Sequence, residues 1–187
     1  MNLLYEVKNV ILSNLKKPSD IKIGIEIENI IYNDENQRIK VNPSNLFSAT
    51  DLVRNLNDME NYSLEPGGQL EWGSKPYTNL HDLNKSIKIN LESLKKTLNK
   101  KNFKIVPFGV DPYYSPDQIE LINQSKYKIM DKKMTRSGSM GQWMMRCTSS
   151  IQVNFDASTE KEMEENAFIA DCLHPIACLL YTSPSPR

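Results

Sequence analysis

Three segments of this chain alternate so strictly between apolar and polar side chains that each predicts a strand with one dry face. In residues 21–31, Ile21, Ile23, Ile25 and Ile27 share one face, while Lys22, Gly24, Glu26 and Glu28 share the other. After the turn Glu65-Pro66-Gly67-Gly68, Gln69 and Glu71 oppose Leu70 and Trp72. In residues 149–156, Gln152, Asn154 and Asp156 oppose Ile151, Val153 and Phe155. Antiparallel sheets commonly keep one face wet, so the alternation alone is compatible with a plainly solvated surface. These polar faces, however, carry almost only carboxylates and amides, where a solvated face mixes in lysine and threonine.

Bulk composition narrows the class. Of 187 residues, 39% are hydrophobic and 25% charged, which predicts a folded domain with a real core. Lys+Arg and Asp+Glu both total 23. Without a basic excess, a nucleic-acid partner is disfavoured, and with it a Mg2+-dependent nuclease. Charge is partly segregated, with lysines crowding 85–104 and acids crowding 156–171. No run reaches the length of a membrane span. Residues 1–17 read as an amphipathic helix through Leu4, Val7, Ile11 and Leu15 rather than as a signal peptide. Cys147, Cys172 and Cys178 are odd in number and lack a C-x-x-C pair, so reduced thiols and a cytoplasmic protein without structural zinc are expected. His81 and His174 are far apart and read as surface or capping residues.

Between the strands the pattern turns helical. A turn at 33–36 and a short strand at 38–41 precede a helix burying Leu46, Ala49, Leu52, Val53 and Leu56. Leu80, Leu83, Ile87, Leu91, Leu94 and Leu98 mark an amphipathic helix over 79–100. A strand at 103–107, a loop through Pro112 and Pro116, a short helix at 126–134 and a flexible stretch at 136–141 follow. Thr159-x-x-Glu162 is a capping box that opens a last helix. With no repeat and no low-complexity linker, one domain is expected.

Clustered carboxylates raise one another's cost unless a cation sits among them, and hard divalent cations such as Mg2+ take oxygen ligands. A Mg2+-lined face and a solvated face both remain open on spacing alone. The motifs Gly24-Ile25-Glu26-Ile27-Glu28, Glu65-Pro66-Gly67-Gly68-Gln69-Leu70-Glu71 and Thr148-Ser149-Ser150-Ile151-Gln152-Val153-Asn154, in that order, resemble the glutamate–cysteine ligases of plants and proteobacteria. Residues 126–130, 138–145 and 175–177 resemble the same family, so the likeness runs from about Ile21 to Ala177. It implies an α+β fold in which a curved antiparallel sheet forms a glutamine-synthetase-like funnel with helices on its outer face.

The resemblance also implies an activity. Such enzymes use ATP and Mg2+ (or Mn2+) to join the γ-carboxylate of L-glutamate to the amine of L-cysteine through an acyl phosphate, the first step of glutathione synthesis. By the matching motifs, Glu26, Glu28, Glu65 and Glu71 are the expected metal ligands. Gln69 is expected to bind substrate or to orient a ligand, and Arg146 to pair with a substrate carboxylate. Thr148, Ser150, Gln152 and Asn154 are expected along the glutamate and nucleotide side. Met140, Trp143, Met144 and Met145 read as packing residues. A related ligase with another acceptor amine, or an inactive metal- and substrate-binding module, is the alternative.

Two departures stand out. The family commonly has arginine where Lys126 stands, and a Met-Pro pair where Met134-Thr135 stands. The first exchanges a planar fork for a point charge. The family's Thr-Cys-Thr appears here as Thr148-Ser149-Ser150, which keeps the hydroxyls. Family members are also more than twice this length. Residues 1–177 are therefore expected to be the N-terminal part of a ligase catalytic domain, inactive alone, and 178–187 a non-native or irregular tail.

Overall fold

A computed structural model describes residues 3–56 and 61–182, with side chains to Leu179. The chain divides into two compact units, Met1–Ile23 with Phe155–Arg187, and Gly24–Asn154. In the first, α1 (Leu3–Leu12) buries none of its residues, so the apolar stripe expected to pack inward is exposed at Leu4, Val7 and Ile11. Helix α6 (Glu160–Thr182) opens on the expected threonine, whose Oγ1 accepts from the Glu162 amide at 3.1 Å. The Glu162 carboxylate caps one residue earlier than expected, accepting from the Ser158 amide and hydroxyl at 2.7 Å. The helix continues through Cys178–Thr182, where an irregular tail was expected. Residues 183–187 lie outside the described residues.

The second unit is built on β1 (Ile23–Asn33), which pairs along its length with three other strands. Its first half lies antiparallel to β3 (Leu70–Gly73), with Glu28 opposite Glu71 and Asn29 opposite Leu70. β2 (Tyr62–Leu64) joins β3 through the five-residue turn at 65–69, placing Ser63 opposite Glu71. The second half of β1 pairs antiparallel with β4 (Phe103–Val106). β5 (Ile151–Phe155) also pairs with β1, in the antiparallel sense set by the contacts Glu26–Asn154 and Glu28–Gln152.

The odd-numbered face of β1 is the dry one, as its isoleucines predict. Ile31, Leu70 and Trp72 pack against Leu52 and Leu56 of α2 (Ala49–Leu56) and Leu94 and Leu98 of α3 (Leu80–Asn99), which cover this side. Helix and sheet are thus mixed in an α+β fold whose strand pairings are antiparallel wherever they are described. Asn79 caps α3 by accepting from the Asp82 amide at 2.9 Å. Leu46 precedes α2 and is exposed, and Leu80 is exposed at the start of α3. Alternation in β1 ends at Asn29: Ile30 and Tyr32, on the carboxylate side, are as buried as Ile31. Val106 and Tyr114 close over them.

Two elements differ from the sequence expectation. Residues 38–41 form isolated bridges, Tyr32 to Arg38 and Lys40 to Ser48, rather than a strand. The stretch read as flexible ends in α5 (Gly141–Cys147), which follows α4 (Ser125–Ser137) and buries Met145 and Cys147. Met140 and Met144 are exposed and Trp143 is half-buried, so of the residues read as packing, only Met145 is in the core. β5 is exposed on both faces, including Ile151, Val153 and Phe155, which alternation predicts to be covered.

The sheet–helix interface should dominate stability. Leu94→Ala, at a fully buried position, is expected to cost about 2–5 kcal/mol in denaturant unfolding.

Candidate functional site

The three one-sided strands come together within the second unit. Glu28 of β1 lies between Glu71 of β3 and Gln152 of β5, and Glu65 sits at the mouth of the turn between β2 and β3. Carboxylate oxygens of Glu28, Glu65 and Glu71 all lie within 4.8 Å of one another, and all three residues are half-buried. Like charges directly opposite on antiparallel strands repel, so this placement is costly without a compensating cation.

The surroundings carry that cost. Burial raises the Glu28 carboxyl above its ordinary value, against hydrogen bonding from Ser150, and the Glu71 charge raises it further. Burial likewise raises Glu65, reinforced by Glu71 and Glu28, while Lys126 alone opposes the shift. Ser63 donates to Glu71 at 2.8 Å, and the Gln152 amide donates to Glu28 at 3.1 Å. Ser63 was not among the residues expected here, although a tight turn between two strands predicts its place opposite Glu71. Lys126, noted only as a departure from the family pattern, proves to be a cation acting on Glu65.

Several expected site residues lie elsewhere or are already engaged. Glu26 falls outside the three-carboxylate cluster, one pleat along β1, and accepts from the Asn154 amide at 3.0 Å. Gln69 is on the carboxylate side as alternation requires, but it is 1% exposed. Its amide donates to the carbonyls of Met145 at 3.3 Å and Thr148 at 2.9 Å, so it ties the turn to the end of α5 instead of facing substrate. Arg146 is likewise consumed: its guanidinium donates to Asp131 at 2.5 Å and to the carbonyls of Pro116 and Ile119. The Thr148 hydroxyl is turned back onto the Met144 carbonyl at 2.7 Å. Ser150, Gln152 and Asn154 do reach the carboxylates, through hydrogen bonds to Glu28 and Glu26.

The donor set suits a hard divalent cation. Three carboxylates within 4.8 Å compare with about 4.2 Å for oxygens on opposite sides of one Mg2+. That spacing is near enough that a small side-chain adjustment would let all three reach one ion. A cavity of about 730 Å3, bounded by Lys40, Phe47, Lys101, Phe103 and Tyr114 among others, includes none of these carboxylates. The acidic site is a face of the sheet rather than that cavity.

Comparison with known proteins accords with the motifs. The model of glutamate–cysteine ligase family 2 matches residues 22–184. The chain belongs to this family. It is 32% identical to the chloroplastic glutamate–cysteine ligase of Medicago truncatula over 124 residues, 66% of this chain and 24% of that protein. It is 30% identical to the chloroplastic enzyme of Arabidopsis thaliana, with the same coverage, and to chloroplastic ligase A of Oryza sativa subsp. indica over 66% of this chain and 25% of that protein. The chain thus spans about a quarter of the length of these relatives. A crystal structure of a bifunctional glutathione synthetase from Pasteurella multocida superposes with a TM-score of 0.50 at 14% identity, covering 90% of this chain and 20% of that one; the likeness is one of fold.

The cytoplasmic expectation is corrected by these relatives, which are named as chloroplastic. Unpaired cysteines report a reducing compartment and do not tell one such compartment from another. Among the described residues, no helix is long and apolar enough to cross a membrane.

The raised carboxyls have a consequence for pH. Glu65 binds its proton more tightly folded than unfolded, so its contribution to stability is present below its ordinary value of 4.5 and is lost as pH rises through its raised folded value. Relative to Glu65→Gln, the metal-free protein should therefore lose thermal stability across that window. Mn2+ affinity, measured by calorimetric titration, should tighten over the same window as protons stop competing.

Proposed function

We propose that the protein to which this sheet belongs is an ATP-dependent glutamate–cysteine ligase. The observation that carries this reading is the convergence of Glu28, Glu65 and Glu71 within 4.8 Å on a chain of this family. In the proposed reaction an oxygen of the glutamate γ-carboxylate attacks the γ-phosphorus of ATP, and ADP leaves. The amine of cysteine then attacks the acyl carbon of the mixed anhydride, losing a proton as inorganic phosphate departs and the amide bond forms.

Both reactants of the first step are anions, so their approach must be offset by positive charge. Bound Mg2+ supplies that offset and stabilises charge on the transferring phosphoryl group. Glu28, Glu65 and Glu71 are the residues that would hold it. Burial of Glu28 and Glu65, with the charge of Glu71 beside them, favours a cation at the cluster. Ser63 and Gln152 fix the carboxylates of Glu71 and Glu28 by hydrogen bonds, keeping oxygen lone pairs directed into the cluster. Asn154 holds Glu26 in the same manner at the edge of the site. Mn2+ fits the same oxygen donors.

The test is phosphate release from ATP by the complete reading frame in which this chain occurs. Release should require both glutamate and cysteine. Glu71→Gln should lower it on the order of 100-fold, because several kcal/mol of charge stabilisation is removed. Release that ignores cysteine would redirect the reading to a ligase with another acceptor amine; release that ignores glutamate would refute it.

A further inference from the structure

The Glu65–Glu71 segment does not hold its own position. Its turn contains Gly67, where a Cβ would come 2.6 Å from the backbone of Arg146. Gly68 adopts a left-handed φ of 77° directly against Val41. The turn is therefore pressed onto the end of α5, from which β5 departs toward Gln152 and Asn154. Gln69 ties the turn to this junction from within, and a side chain from a third segment, Arg38, bonds to both backbones at once.

We propose that Arg38, held by Asp111, is a positioning residue that sets the geometry of the carboxylate site. The proposal rests on the reading of that site as a divalent-cation centre. The Arg38 guanidinium is buried and donates to the carbonyl of Gly67 at 3.0 Å and to the carbonyl of Arg146 at 2.8 Å. Both of those bonds come from Nη2, and Nη1 meets the Asp111 carboxylate at 2.5 Å. Both segments that deliver site residues thus end on the same planar fork.

Asp111 is itself fully engaged. It accepts from the Tyr32 hydroxyl at 2.5 Å and from the amides of Tyr113 and Tyr114 at 3.0 and 2.9 Å. Its own amide donates to the Cys147 carbonyl at 2.7 Å. Tyr32 lies on the same face of β1 as Glu28, two pleats along. The network therefore references the turn and the α5–β5 junction to the strand that carries Glu28. A lysine preserves the charge but offers one nitrogen, and lacks the fixed fork that holds Asp111 on Nη1 and both carbonyls on Nη2.

The test compares Arg38→Lys with the unchanged chain by Mn2+ titration, alongside thermal unfolding. Arg38→Lys should remain folded by circular dichroism and lose roughly 10-fold or more in Mn2+ affinity, the scale for a residue that orients metal ligands. Leu52→Val, a core change behind the sheet, should lower the unfolding midpoint without changing Mn2+ affinity. Wild-type affinity in folded Arg38→Lys would overturn the proposal. If the variant does not fold, amide exchange on the unchanged chain decides. Saturating Mg2+ should slow exchange at Tyr113 and Tyr114 as well as at Gly68, and a gain confined to Gly68 overturns the proposal. Absence of Mn2+ binding by the unchanged chain would remove the metal reading itself and the proposal with it.

Discussion

Glu28 and Glu71 face each other across a strand pair, and the rest of the second unit is arranged so that they stay there. Two carboxylates in that register repel, and a third at Glu65 adds to the repulsion. Left on compliant strands, the side chains would splay into solvent and the separation would grow. Here the strands cannot yield: Trp72 and Leu70 anchor β3 from behind against α2 and α3, and β1 is paired along both halves. Burial raises the proton affinity of Glu28 and Glu65, and the retained repulsion adds to it; a cation can relieve the repulsion.

The polar groups around the carboxylates divide into two kinds. Ser63, Gln152 and Asn154 donate directly to carboxylates at the exposed edge. Gln69, Arg38 and Arg146 bind backbone carbonyls in the interior. The second kind orders loops that have no regular partners, since 65–69, 108–119 and 147–150 all lack a continuous ladder. Buried backbone carbonyls in such segments need donors, and long polar side chains reaching from neighbouring elements provide them. Burial pushes the Asp111 carboxyl upward, but donors from Tyr32, Tyr113, Tyr114 and Arg38 overcome it and hold the group below its ordinary value. The Arg38–Asp111 pair therefore stays charged, and breaking it leaves an uncompensated charge at a typical cost of about 3–5 kcal/mol.

Which parts were legible in the sequence follows from how local each signal is. Alternation in 21–28 and 69–72 is a property of neighbouring residues, and it placed Glu26, Glu28 and Glu71 on their faces correctly. The same pattern predicts covered apolar residues in β5, and fails there because Ile151, Val153 and Phe155 have no layer over them. Gln69 shows the complementary limit. Alternation assigned it to the carboxylate side, yet whether that position faces solvent depends on α5, 76 residues further on. α5 itself was hidden by the small residues of Ser137-Gly138-Ser139, which read as a flexible connection; the helix begins only at Gly141, after them. Arg38 falls in the short strand expected at 38–41 and Asp111 in a loop, and nothing in either segment signals a pairing that spans 73 residues.

Arg146 makes the consequence for function concrete. An arginine beside a hydroxyl-rich strand invites assignment to a substrate carboxylate, because a guanidinium matches that geometry. Its Nη1 and Nη2 are instead spent on Asp131, Pro116 and Ile119, while its buried Nε meets no partner. A residue with that many internal partners cannot turn outward without leaving buried carbonyls and a carboxylate unpaired. The cation best placed to act on the acidic face is then Lys126, whose charge already opposes the rise at Glu65 and whose ammonium lies 4.5 Å over the Tyr127 ring. As a flexible point charge, it can follow an anion or a metal-bound group in a way the locked Arg146 cannot. The site thus sets three carboxylates on a rigid frame with the charge of Lys126 acting on one of them.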